Sequence, residues 1–101
     1  MIKEKLRNII AKRIATNPEY DYGIELCWNE AMQLVKEKPE EVLAFIKQEA
    51  TEEEVYWLSE RLCEIFDITN DERFVEAFSS RANKIADEEM KRSILQEVGH
   101  V

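Results

Sequence analysis

The stretch from Thr51 to Phe66, TEEEVYWLSERLCEIF, constrains the fold more than any other part of the chain. Thr51 is a favourable N-cap, and the side chain of Glu54 can bond the free Thr51 amide in return, so the two residues can form a capping box. The pattern predicts one amphipathic helix across the stretch, with Trp57 on the side opposite the apolar face. The stripe that makes up this face consists of residues at helical spacing: Val55, Leu58, Ser59, Leu62, Ile65 and Phe66.

Five further segments carry the same spacing of apolar residues, and the chain has only two Gly, two Pro and no alternating strand pattern. It is therefore predicted to be one all-α domain, residues 1–101, of about six short antiparallel amphipathic helices. A HEAT-like stack of αα-hairpins and a compact bundle are both compatible with short connections. The five segments are predicted from capping residues, Pro and apolar spacing: Ile2 to Ala15, Asp21 (as N-cap) to about Glu37, Pro39 to near Ala50, Phe74 to Ile85 after a cap at Thr69, Asn70 or Asp71, and Asp87 (as N-cap) to about Gly99.

The predicted apolar faces also define the core and the state of the cysteines. Trp28, Leu62 and Phe78 lie on these faces and are expected to be buried. Cys27 and Cys63 lie on them too, and we expect buried free thiols of a reducing compartment. A single disulfide between the two is the alternative.

Acidic residues dominate the charge: 22 Asp and Glu against 14 Lys and Arg give a net charge of −8. Nucleic acid and anionic membranes require a basic footprint, so neither is expected as a partner. The sequence has no apolar run long enough to cross a bilayer and no signal-peptide pattern after Met1, which predicts a cytoplasmic protein. The charge favours a basic protein as partner.

The residues that catalysis or metal binding would need are scarce in the sequence. His100, at the C-terminal tail, is the only histidine. A Glu-x-x-His metal site and a Ser-His-Asp or Cys-His nucleophile therefore lack the residues they require. Gly23 and Gly99 stand alone, without the pattern of a phosphate-binding loop. We expect a non-enzymatic protein without metal or cofactor.

Acidic residues are concentrated at the predicted helix starts. Capping and favourable interaction with the helix dipole explain any single cluster. If sequential helices are antiparallel, the second, fourth and sixth helices begin at one edge, and their carboxylates form an acidic rim. Such a rim would suit a basic partner. Its members would be Glu19, Asp21, Glu52, Glu53, Glu54, Asp87, Glu88 and Glu89.

Four aromatic residues lie off the predicted apolar faces: Tyr20, Tyr22, Tyr56 and Trp57. Aromatic residues among charges are common anchors of protein interfaces. Burial under a third helix, or packing on Leu26 at the equivalent back-face position of the second helix, is an equally strong interpretation for Trp57. The predicted partner-binding residues combine aromatics with carboxylates: Trp57, Tyr56, Tyr22, Glu52, Glu53, Glu60, Glu64, Asp87 and Glu88.

Two segments, GIELCWNEAMQLVKEKPEEVLAFI (Gly23 to Ile46) and VYWLSERLCEIFDITNDERFVEAF (Val55 to Phe78), carry a family resemblance. Through the Trp28-Asn29 pair, the run from Trp57 to Glu60 and the helix order, they resemble small acidic immunity proteins of bacterial contact-dependent growth inhibition and polymorphic toxin systems. The resemblance implies cytoplasmic neutralisation of a cognate toxin domain, often a nuclease, by tight binding, and it assigns no binding residue. A helical-repeat adaptor for peptide segments and an acidic nucleic-acid mimic that inhibits a nuclease or repressor are the alternatives.

Overall fold

Residues 2–101, the part of the chain that the computed structural model describes, form seven α-helices, one π-helical turn and no strand. The predicted all-α class is confirmed, with one helix more than expected. The elements are α1 (Ile2–Ala15), α2 (Asp21–Glu37), α3 (Pro39–Ala44), the π-helical turn (Phe45–Glu49), α4 (Glu52–Ser59), α5 (Leu62–Thr69), α6 (Glu72–Asn83) and α7 (Glu88–Gly99).

The extra helix arises because the predicted Thr51 helix is broken in two. Its start is as expected: the Glu54 amide donates to Thr51 Oγ1 at 3.1 Å, and the Thr51 amide donates to Glu54 Oε1 at 2.8 Å. The Ser59 hydroxyl, however, donates to the Tyr56 carbonyl at 2.6 Å. The Glu60 amide donates to the Trp57 carbonyl at 3.3 Å, and not to the Tyr56 carbonyl that a regular α-helix would offer it. A serine that occupies a helical acceptor in this way favours a bend, and α4 ends at Ser59.

The predicted third helix also changes pitch part-way. After α3, the Ala50 amide donates to the Phe45 carbonyl at 2.8 Å, a five-residue step that widens the last turn into a π-helix. Phe45 and Ile46 are both buried in this turn. From α6, Arg81 donates to the Ile46 carbonyl at 2.7 Å and to the Ala50 carbonyl at 2.6 Å. The wide turn is thus tied to α6 by one side chain.

Aspartates cap two of the helices, but not all those predicted. Asp71 accepts from the Arg73 amide at 2.9 Å and caps α6. Asp87 accepts from the amides of Glu89 and Met90 and caps α7, as predicted. The prediction for Asp21 is wrong: Tyr20 occupies the cap position of α2, without a side-chain bond, and Asp21 is the first helical residue. There its carboxylate still complements the helix dipole.

The predicted core is confirmed at Trp28, Leu62 and Phe78, which are all buried. Both cysteines are free, but the expected burial holds for Cys27 only, because Cys63 is exposed. α5 directs Leu62 and Ile65 into the core, and Cys63 lies about 100° around the helix from Leu62.

Two arginines of α1 show that α1 and α4 run in the same direction. Arg7 Nε lies 3.2 Å from Glu54, and Arg13 Nη2 lies 3.5 Å from Glu60, each pair 47 residues apart in sequence. α4 therefore begins beside the first half of α1, whereas α2 begins beside its last turn. The prediction that α2 and α4 start at one edge is wrong, and the acidic rim is divided between two ends of the molecule.

The helices of this domain are arranged compactly. The molecule measures 30 × 28 × 24 Å, with a radius of gyration of 12.5 Å. These nearly equal dimensions favour the compact bundle over the HEAT-like stack, the other predicted arrangement. Within residues 2–101, every helix falls short of the length and apolar character that a membrane-spanning segment needs.

The ion pairs at the start of α6 predict a pH dependence. Hydrogen bonds from the Arg73 side chain, at 2.7–3.1 Å, and from the Arg73 amide hold the pKa of Asp71 below its ordinary value. A lowered folded-state pKa means that the ionised carboxylate stabilises the fold above its unfolded pKa. This stabilisation is lost as the pH falls through the folded pKa.

The variant Asp71→Asn tests this pH dependence, because asparagine is also a favourable cap residue but carries no charge. We expect it to lower the melting temperature at pH 7 and to match the wild type in strong acid. An equal difference at both pH values would contradict this.

Candidate functional site

Exposed apolar side chains gather where α1 meets α2. The large apolar residues of residues 2–101 that stay well exposed are Tyr22 (66%), Tyr20 (55%), Leu26 (47%), Val101 (43%) and Ile14 (41%). All except Val101 lie between the last turn of α1 and the second turn of α2. We call Ile14, Tyr20, Tyr22 and Leu26 the α1–α2 corner. Clusters of exposed apolar residues in a small soluble domain often mark a binding surface.

The backbone holds the corner in a defined shape. The Tyr20 ring packs directly on Gly23: a Cβ atom there would lie only 2.6 Å from Tyr20 Cδ2 and 3.2 Å from Thr16 Cγ2. Asn17 fixes the loop before it, because its carbonyl accepts from the Tyr20 amide at 2.9 Å and its side chain accepts from the Glu19 amide at 2.9 Å. The rings of Tyr20 and Tyr22 meet edge-to-face at 6.3 Å. The tyrosines therefore protrude from a turn that hydrogen bonds and ring packing hold in place.

The corner is also acidic. Residues 14–35 contain no Lys or Arg and four carboxylates: Glu19, Asp21, Glu25 and Glu30. Glu25 pairs with Arg61 at 3.2 Å. Within residues 2–101, Glu19 and Asp21 form no ion pair. They leave uncompensated negative charge beside Tyr20 and Tyr22.

Trp57, the first of the predicted anchors, is half-buried against the bundle. The guanidinium carbon of Arg13 lies 4.8 Å from the centre of its ring, and the Tyr56 ring meets it edge-to-face at 5.6 Å. Arg13 is itself buried, and it reaches Glu60 at 3.5 Å. The structure therefore gives Trp57 a packing role and leaves only part of the indole exposed.

Arg61 connects Glu64, another of the predicted site residues, to Glu25 of α2. It lies 6.0 Å from the centre of the buried Trp28 ring and pairs with Glu25 at 3.2 Å and with Glu64 at 3.6 Å. Together with the Arg13–Glu60 pair, it joins the break between α4 and α5 to the corner end of α1 and α2. Glu60 and Glu64 are thus engaged with arginines of this chain.

The predicted site residues fall into two groups. Tyr22, Tyr56, Trp57, Glu60 and Glu64 belong to the half of the molecule that includes the corner. Glu52 and Glu53 lie at the opposite end of α4, and the bonds from Arg81 to the Ile46 and Ala50 carbonyls bring the end of α6, and with it the start of α7, to that end. We call this second group the α4–α7 acidic edge: Glu52, Glu53, Asp87 and Glu88, all of them exposed.

Three corner residues are missing from the predicted binding set: Ile14, Tyr20 and Leu26. Leu26 was considered as a back-face residue on which Trp57 could pack. Helical spacing with Ile2, Leu6 and Ile10 predicts Ile14 on the core face of α1, yet it is exposed, because the last turn of that helix buries Arg13 in its place. Tyr20 was recognised as an off-face aromatic but not assigned to the site. A sequence signal for all three exists: the run without Lys or Arg begins at Ile14 and includes Tyr20 and Leu26.

The chemistry available at the corner is non-covalent binding. Its groups are tyrosine rings and hydroxyls, aliphatic side chains and carboxylates. Across residues 2–101, no group of three or more His, Cys, Asp or Glu side chains is placed to hold a metal ion. Comparisons of the chain with protein-family models, curated proteins and solved structures return no match.

The half-buried position of Trp57 predicts the effect of its removal. We expect Trp57→Ala to lower the free energy of unfolding by about 2 kcal/mol, less than for a fully buried ring, from lost packing and the lost contact with Arg13. Chemical denaturation measures this, and Trp57→Phe, which keeps a ring above Arg13, should lose less. A stability change under about 0.5 kcal/mol, combined with a large loss of partner binding, would instead support the hypothesis that Trp57 is an interface anchor.

Proposed function

We propose that this chain is a non-enzymatic immunity protein that binds and neutralises a basic toxin domain, with a nuclease as the expected class. The observation that carries the proposal is the α1–α2 corner, where exposed tyrosines and aliphatic side chains stand beside unpaired carboxylates. Tyrosine at the centre of an interface with a charged surround is typical of tight protein binding. The resemblance to immunity proteins supports the same class, and a cytoplasmic location is part of the proposal.

The geometry favours this class over the two alternatives. A peptide-binding helical-repeat adaptor is expected to be an elongated stack with a long groove, whereas the three dimensions of this domain are nearly equal. A nucleic-acid mimic needs a continuous line of negative charge, whereas the carboxylates here are divided between the corner and the α4–α7 acidic edge. Apolar exposure at the corner is not a feature that phosphate mimicry requires.

Neutralisation can be tested in cells. The genes beside this one are searched for a toxin domain, and a domain found there is produced from an inducible promoter, with and without this chain, while growth is recorded. We expect growth to be restored by the chain and the purified pair to form a stable complex. A toxic domain whose effect is unchanged by this chain, or that does not bind it, would overturn the proposal.

Charge at the α4–α7 acidic edge predicts a kinetic effect. Replacing Glu52, Glu53 and Glu88 by Gln and Asp87 by Asn should slow association with a basic partner more than it speeds dissociation, because unpaired exposed charges act at long range. Raising the salt should have the same effect, since the Debye length falls from about 10 Å at 0.1 M to about 3 Å at 1 M. Stopped-flow or surface-based kinetics measure both rates. An association rate indifferent to salt and to these changes would exclude steering by this edge.

A further inference from the structure

We propose that the α1–α2 corner is the docking surface for a protein segment that carries lysine or arginine beside apolar side chains. The proposal depends on the proposed function only for the identity of the natural partner, since the surface can be probed without it. It shifts the centre of binding from Trp57 to Tyr22 and Leu26. It also assigns different roles to the two acidic ends of the molecule.

Tyr22 and Leu26 form the apolar part of this surface. They lie four residues apart on α2, so their side chains are neighbours along one line of the helix. That line is turned away from the core, which α2 contacts through Cys27, Trp28 and Ala31. Both side chains are about half exposed or more. A partner that covers them removes apolar area from water without any rearrangement of this chain.

Gly23 allows the packing that orders Tyr20 before the partner arrives. The absence of a side chain there lets the Tyr20 ring lie on the first turn of α2, where it contacts the edge of Tyr22. Asn17 holds the preceding turn with its carbonyl and its side chain. A tyrosine that is already fixed loses little conformational entropy on binding, which strengthens the complex for the same contact area.

The charge around the corner determines the chemistry of the occupant. Glu19 and Asp21 flank Tyr20 and form no ion pair within residues 2–101. Arg61, which pairs with Glu25 of α2, also pairs with Glu64. Arg13, next to Ile14, is buried and paired with Glu60. An acidic segment or a nucleic acid would meet like charge here. A segment with lysine or arginine would pair with Glu19 and Asp21 while its apolar side chains cover Tyr22 and Leu26.

The test uses two synthetic amphipathic peptides, one of lysine and leucine and one of glutamate and leucine, titrated into the ¹⁵N-labelled full chain. We expect the lysine peptide to shift the amide signals of residues 14–26 and the glutamate peptide to bind at least about tenfold more weakly. The double variant Tyr22→Ala/Leu26→Ala should weaken the lysine peptide at least about tenfold. Val101→Ala, a similarly exposed apolar residue outside the corner, is the matched control and should bind like the wild type.

Gly23→Ala tests separately whether the packing of the Tyr20 ring on Gly23 strengthens binding. The added methyl group displaces the Tyr20 ring, so we expect weaker peptide binding with unchanged or increased thermal stability, because alanine is the better helix former. Signal shifts centred on the α4–α7 acidic edge, equal binding of the two peptides, or an unaffected double variant would each overturn the docking surface.

The same variants separate this proposal from the proposed function. A lysine peptide that binds the corner, together with a toxin domain that is not neutralised, would refute the function and leave the surface standing. A toxin domain that is neutralised equally well by the double variant would refute the surface as the natural docking site and leave the function standing.

Discussion

Phe78→Ala should lower the free energy of unfolding by about 3–5 kcal/mol, among the largest effects expected of a single change in this chain. Phe78 is fully buried on α6, the helix that packs along α7 and beside the π-helical turn. Its truncation removes a whole ring from close packing and leaves a cavity that the surrounding helices fill only in part. A domain of this size has a total free energy of unfolding of about 5–15 kcal/mol, so the variant should be only marginally stable.

Urea denaturation followed by circular dichroism measures the loss at Phe78. Tyr22→Ala is the matched control, because it removes a similar aromatic ring from the exposed corner and should change stability by less than about 0.5 kcal/mol. Equal losses in the two variants would mean that the core has been assigned to the wrong residues.

Arg81→Ala should lower the free energy of unfolding by about 2–3 kcal/mol, because it removes two hydrogen bonds from a charged donor to partly buried carbonyls. Its guanidinium donates to the Ile46 carbonyl at 2.7 Å and to the Ala50 carbonyl at 2.6 Å. These carbonyls belong to the π-helical turn and to the residue after it, where regular helical bonding ends. Alanine leaves both acceptors without this donor and loosens α6 from the turn.

Two further variants show whether the two bonds of Arg81 are responsible. Arg81→Lys keeps the charge but offers a compact ammonium group without the two-pronged geometry, so we expect it to recover only part of the loss. Lys84→Ala removes a neighbouring exposed charge that has no ion-pair partner within residues 2–101, and it should be close to neutral. A similar loss for Lys84→Ala would indicate a general charge effect in place of the two bonds.

Several features of the fold could be predicted because their causes lie within a few residues of one another. The capping box of Thr51 and Glu54 depends on a three-residue spacing. The bounds of α1 and α2 follow from apolar spacing and from the prolines that succeed them. The burial of Trp28, Leu62 and Phe78 follows from their place on apolar helical faces. Helical period and capping are local physics, so the sequence displays them directly.

The candidate site could be predicted only in part. Tyr22 was identified as an exposed aromatic, but Ile14 was expected in the core, and for Trp57 exposure and burial were equally strong interpretations. Whether the side of a helix is covered depends on which other helices lie beside it. For Trp57, the covering group is Arg13, a residue far away in the sequence.

The tertiary structure alone decided the common direction of α1 and α4 and the division of the acidic rim. These features depend on contacts between residues 36 or 47 apart, such as Arg61 with Glu25 and Arg13 with Glu60. The sequence by itself determined the helical class, most helix ends and the composition of the core. It could not determine how the helices are oriented, because a charged side chain near a helix end can pair with several partners and only packing selects one.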